Sequence, residues 1–262
     1  MSIPPSCPRT EAAGLPQRIA RPPYPGRMGD GLLEVTVLDP RDVAGAEEGG
    51  ADRLLVRSAD GLSPEPTLVS AVCHETDLPV HVVLRLNDTW TTTGGELTRL
   101  AGLGEDYLGS GAVGLSFGFL DGDLEVDTEV CAYLSGLLPG VPWIFGRAVD
   151  DTLDPRRSWR RLLDLPGLEG VRSAGSPRGL EVGFDDLIET AADPLVARLL
   201  LPGGGLLAEH VPWFVRADVR QFHLGRQVRP GGSLKAYVDA GHVRSWRLLV
   251  DDALERAVRS AG

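Results

Sequence analysis

Residues 32–57 read LLEVTVLDPRDVAGAEEGGADRLLVR. Both ends of this stretch, 32–38 and 51–57, are rich in branched aliphatic residues and read as β-strands. Between them Asp39 is placed to cap a short helix, with Pro40 at its first position and Gly49–Gly50 at its end. A strand, a helix and a second strand in so short a span make a β-α-β unit with parallel strands. The same alternation continues along the chain. Further strands are predicted at 79–85, 111–117, 141–147, 170–174, 196–202 and 219–225. Helices are predicted at 64–76 (opened by Ser63 and Pro64), 96–107, 127–138, 155–163, 184–192, 206–215 and 233–260. Eight β-α units in about 230 residues predict a single (β/α)8 TIM barrel over residues 32–262, an α/β fold that typically takes ~250 residues. An open doubly wound sheet is the rival, and the count of eight disfavours it.

Residues 1–31 are rich in Pro, Gly and Arg and show no hydrophobic period, so they are predicted to form a disordered or loosely ordered extension. Met28, just ahead of the first strand, is the expected true start.

Composition narrows the function classes. The formal net charge of −11 argues against a nucleic-acid surface, which needs a basic field. No apolar run approaches the ~20 residues that span a bilayer, so no membrane partner is predicted. Three cysteines without a C-x-x-C pair fit a reducing cytoplasm better than a disulfide scaffold.

Strand alternation then selects the candidate site. Successive side chains point to opposite faces, so His81, Val83 and Arg85 share one face and Val80, Val82 and Leu84 the other. The polar face is assigned to the barrel interior. By the same rule Glu34 and Thr36 point inward on the first strand, and Arg53, Leu55 and Arg57 on the second. Phe145 and Arg147 are expected inward on the fifth. Active sites of this fold lie at the C-terminal ends of the strands. Arg57, Arg85 and Arg147 each end a predicted strand, and Glu34, Asp150 and Asp151 are the acids that could answer them. Either a structural ion-pair network or an anion site satisfies this pattern. Glu34 and His81 are the candidate acid/base pair, with Arg85, Arg147 and Asp150 as further catalytic candidates. After strand seven, Gly203, Gly204 and Gly205 open a helix, and Gly225 follows strand eight. Their N–H groups, with Arg57, form the candidate anion-binding set. The expected ligand is a small anionic or phosphorylated metabolite, with no cofactor required.

Several segments together resemble the CutC family, labelled copper homeostasis proteins: residues 32–56, GLSPEPTLVSAV, LPVHVVLR, FGRAVDDTLDP and SAGS, and more weakly LPGGGL and VRQFHLG. The resemblance implies a (β/α)8 barrel, a cytoplasmic location and a homodimer. It also implies copper binding as an alternative function, and a degenerate, non-catalytic scaffold is a third. The departures fall at informative places. The family's E-L-C is here Leu55, Val56 and Arg57, its cysteines after the first strand motif are Thr36 and Val37, and its histidine before the strand-five arginine is Gly146. Glu34, His81, Arg85, Arg147, Asp150 and His223 match. Cu(I) prefers thiolate and thioether ligands, and both methionines, Met1 and Met28, lie in the extension. Cys73 and Cys131 fall in predicted helices and read as small buried hydrophobes. A metal site, if present, would rest on His81 and His223.

Overall fold

A computed structural model describes residues 31–261. The extension expected at 1–31, Met28 and Cys7 therefore lie outside the described residues, Gly31 excepted. Eight strands run parallel: β1 (Leu32–Val37), β2 (Arg53–Val56), β3 (Val80–Val83), β4 (Gly114–Phe117), β5 (Trp143–Phe145), β6 (Leu168–Ser173), β7 (Leu200–Pro202) and β8 (Gln221–Leu224). They pair in sequence order from β1 to β7, and β8 pairs with β1. β7 packs beside β8, so the sheet curls into a nearly closed barrel. Helices α1 (Asp42–Gly49), α2 (Pro66–Glu75), α3 (Gly94–Gly109), α4 (Thr128–Leu137), α5 (Pro155–Leu163), α6 (Leu180–Thr190), α7 (Pro194–Leu199), α8 (Val211–Arg216) and α9 (Ala240–Ala261) surround it. The predicted (β/α)8 architecture is the observed one.

The pleat sorts the strand residues into two cores. Val35, Leu54, Val82, Leu115, Trp143 and Phe222 belong to the main apolar cluster between barrel and helices. There the Phe117 and Trp143 rings stack with centroids 4.3 Å apart. Leu55, Val83, Ile144 and Leu201 are buried but stand outside that cluster. They fill the barrel interior beside Glu34, Arg53, His81, Ser116 and Arg172.

Boundaries depart from the sequence reading where local signals compete. The α1 N-cap is Arg41, and Asp39, whose carboxylate accepts from the Arg41 N–H, sits three residues ahead of the helix. α2 starts at Pro66, not at Pro64. Residues 196–199 are helix, not strand: Asp193 caps Leu195 N–H at 2.9 Å and Pro194 opens α7. Phe145 faces the helices, not the interior. The register Ser116↔Ile144↔Gly170 puts Ile144 inward, and Phe145 joins the outer apolar cluster.

Candidate functional site

The interior is organised by one carboxylate. Glu34 on β1 is fully buried. Its Oε2 accepts from Arg53 Nε on β2 at 2.7 Å. Its Oε1 accepts from Arg172 Nη2 on β6 at 2.9 Å and from His223 Nδ1 on β8 at 2.7 Å. Burial alone would raise the Glu34 pKa, but the two guanidiniums and the imidazole hold it well below the usual carboxylate range. His223 is pulled down to about 4 by burial and then by Arg172, so the ring is neutral at physiological pH. Because Glu34 is an acceptor only, His223 Nδ1 carries the proton. Nε2 is then the acceptor, and the Thr36 hydroxyl donates to it at 3.1 Å. His81 is also fully buried, and burial and then Arg53 pull it down to about 3. Its imidazole packs over Gly114, where an added Cβ would sit 2.3 Å from Nε2. At the base of β6, Glu169 feels Arg53, although burial pushes its carboxyl up.

The rim carries the other candidates. Arg57 directly follows β2, and its Nη1 donates to the carbonyls of Ser58 (2.9 Å) and Ala59 (3.3 Å). It forms no ion pair among the described residues. Burial lowers its pKa, and the neighbouring cations Arg172, Arg229 and Arg226 lower it further. Arg85 turns back onto its own loop. Its Nε donates to Asn87 O at 2.9 Å, its Nη2 donates to Asp88 O, and its guanidinium lies 3.7 Å from the Trp90 ring centroid. Trp90 Nε1 in turn donates to Asp151 at 2.8 Å. Arg147 Nε donates to Asp150 at 2.7 Å and its Nη2 to Ser176 O at 3.0 Å. Asp150 also accepts from Ser173 Oγ at 2.6 Å and Ala174 N–H at 3.0 Å, while burial pushes its pKa up.

The glycines divide into two kinds. Gly203 N–H donates to Ser173 O at 3.0 Å, and Gly225 N–H donates to Gln227 Oε1 at 3.0 Å. Gly204 and Gly205 hold φ of +72° and +111°, a backbone region that favours glycine. Among the described residues their N–H groups have no partner. Arg147 Nη1 lies against Gly204, where a Cβ would sit 2.8 Å away. The geometry thus brings Glu34, His223, Thr36, Arg53 and Arg172 into one network. Arg147, Asp150 and Gly204 form another, and Arg85 and Arg57 stand apart from both. Arg172 and Ser116 were missed in the sequence. The alternation in LEGVRS (Leu168–Ser173) puts Gly170 and Arg172 on one face and is the signal that finds Arg172.

The thiols do not fit a copper site. Cys131 is buried on α4 and burial pushes its thiol up to about 12, while Cys73 on α2 is pushed up to about 11. Both belong to the helical layer, and a metal would need them as thiolates. Both His223 nitrogens are already engaged. Among the described residues no three His, Cys, Asp or Glu side chains are grouped to hold a metal.

Comparison with known proteins gives a consistent family. The model of the CutC family matches residues 31–228. The copper homeostasis protein cutC homolog of Mus musculus is 32% identical over 213 residues, covering 76% of this chain and 75% of that protein. The Homo sapiens homolog is 30% identical over 216 residues, covering 77% and 76%. The solved CutC structure from Streptococcus agalactiae superposes with a TM-score of 0.65 at 21% identity, covering 74% of this chain and 98% of that one. The chain belongs to the CutC family.

Proposed function

We propose that this CutC-family barrel binds a small anionic metabolite at its C-terminal mouth. The observation that carries the reading is Arg57. It is a half-buried guanidinium whose hydrogen bonds go to backbone carbonyls, with the exposed Asp60 as a neighbouring carboxylate, and Arg172, Arg226 and Arg229 add positive potential around it. Inside the barrel Arg53 and Arg172 share Glu34, and both histidines are neutral. Arg229 is paired with Asp42 and Arg172 with Glu34, so Arg57 and Arg226 are the cations that an anion at the mouth answers. Arg147 Nη1 and the open N–H groups of Gly204 and Gly205 supply further donors on the opposite rim, in geometry suited to a phosphoryl or carboxylate oxygen.

Copper handling, the role in the relatives' names, is the alternative. Its weakness is the donor set described above.

Thermal shifts of the full chain against inorganic phosphate, sugar phosphates, small carboxylates and Cu(I) under reducing conditions separate the two. A ligand at about 100 times its dissociation constant adds roughly 2.7 kcal/mol. For a domain of this size that raises Tm by on the order of 5–10 °C. The anion reading predicts a shift with phosphorylated or carboxylate ligands that is lost in Arg57→Gln and reduced in Arg147→Ala. A shift with Cu(I) alone supports the alternative.

A further inference from the structure

Glu34, His223 and Thr36 form a linear arrangement at the seam between β1 and β8. The carboxylate accepts from Nδ1 at 2.7 Å, and Nε2 accepts from the Thr36 hydroxyl at 3.1 Å. The order is carboxylate, imidazole, hydroxyl, the order that activates a hydroxyl nucleophile. Each member is fixed from outside the row. Arg53 and Arg172 hold the carboxylate. Thr36 O accepts from Arg229 Nη2 at 3.0 Å, which anchors the backbone behind the hydroxyl. His223 is the most exposed member, with its side chain 11% exposed against 0% for Glu34, and Thr36 is buried beside it at 1%.

The two glycines whose N–H groups are spent fit this row instead. An added Cβ at Gly203 would lie 3.1 Å from His223 Cδ2, so glycine there lets the β7 loop pass over the imidazole. An added Cβ at Gly225 would stand 3.6 Å from Thr36 Oγ1. No side chain from either position covers the hydroxyl. Arg172 Nη2 donates to the same Glu34 oxygen that accepts from His223 Nδ1, so a guanidinium stands beside the ring.

We propose that Glu34, His223 and Thr36 form a proton relay that makes the Thr36 hydroxyl a nucleophile toward carboxylic esters. Thr36 Oγ1 bonds to the carbonyl carbon as its proton passes to His223 Nε2. The ester C–O bond then breaks, and the imidazolium returns that proton to the leaving alcohol. Water, deprotonated by the same nitrogen, hydrolyses the acyl-threonine and restores the hydroxyl. Glu34 is the positioning residue that keeps the proton on Nδ1. The relay stands on its own geometry and not on the anion reading.

The test uses the full chain and p-nitrophenyl acetate, read by p-nitrophenol release and by peptide mass spectrometry. The expected result is an acetyl group on Thr36 that persists in Thr36→Ser and is absent in Thr36→Val and His223→Gln. Acetyl groups confined to Lys235 or the amino terminus, or an unchanged Thr36 signal in His223→Gln, would overturn the relay. A second measurement covers variants that lose stability. In Thr36→Cys the introduced thiol, paired with His223, reacts with iodoacetamide at neutral pH about tenfold faster than in the double variant Thr36→Cys/His223→Gln. Equal rates in the two would also overturn it. A failed phosphate titration alongside a labelled Thr36 would count against the anion reading alone.

Discussion

At the scale of single residues, Glu34 carries the most consequence. It is the one carboxylate bonded to Arg53, Arg172 and His223 together. Glu34→Gln takes away the carboxylate that Arg53 and Arg172 share, and breaking a buried ion pair from one side costs about 3–5 kcal/mol. Urea denaturation should show a loss of that size, and a loss below about 1 kcal/mol would mean the network is not the one described. The histidines make stability depend on pH. His81 and His223 have folded-state values of about 3 and about 4, below the ordinary 6.5. The unfolded chain therefore takes up protons first. Their neutral burial costs nothing above about pH 6.5, and stability falls as pH drops toward 4, by about 1.4 kcal/mol per pH unit for each ring. The depressed Glu34 adds to the loss only at lower pH, as its folded value is approached. Stability measured at pH 7, 6 and 5 should decline, and His81→Leu should remove part of the slope; a flat profile would contradict neutral burial. Glu34, Arg53 and His81 were legible in the sequence because alternation is a local rule. Their pairing was not. Arg172 lies 138 residues and His223 189 residues from Glu34, and only the closing of the barrel brings them together.

At the scale of elements, β3 and β4 show how a side chain dictates its neighbour. His81 pairs with Gly114, and the imidazole occupies the space a Cβ would take. Gly114→Ala should cost about 1–3 kcal/mol by overpacking. The cost should shrink when combined with His81→Ala, as a double-mutant cycle would record. Additive losses would mean that the ring and the glycine are not in contact. Helices were legible where caps are local. Thr93 and Glu96 close a capping box at the start of α3, and Asp127 caps α4. The assignment at 196–199 failed because an apolar run of that length suits a strand or a buried helix equally, and Asp193 with Pro194 decided it. Phe145 was turned outward by the register with β4, which no single strand reveals.

At the scale of the whole molecule, charge is segregated. The chain is acidic overall, with a formal net charge of −11, yet Arg53 and Arg172 share one buried carboxylate inside the barrel and Arg57 stands at its rim. The eight-fold repeat was legible from the sequence because each β-α unit carries its own signals, and the CutC resemblance covered most of the same span. The arginines at the mouth were only half legible: strand ends located Arg57, Arg85 and Arg147, but not that Arg147 pairs with Asp150 while Arg57 and Arg85 bond backbone carbonyls. Isothermal titration of the full chain with inorganic phosphate, in parallel with Arg57→Gln, tests the central claim most directly. The account predicts saturable binding that weakens with added salt and disappears in Arg57→Gln. Binding of equal strength in both proteins, or no heat in either with phosphate and with small carboxylates, would contradict it.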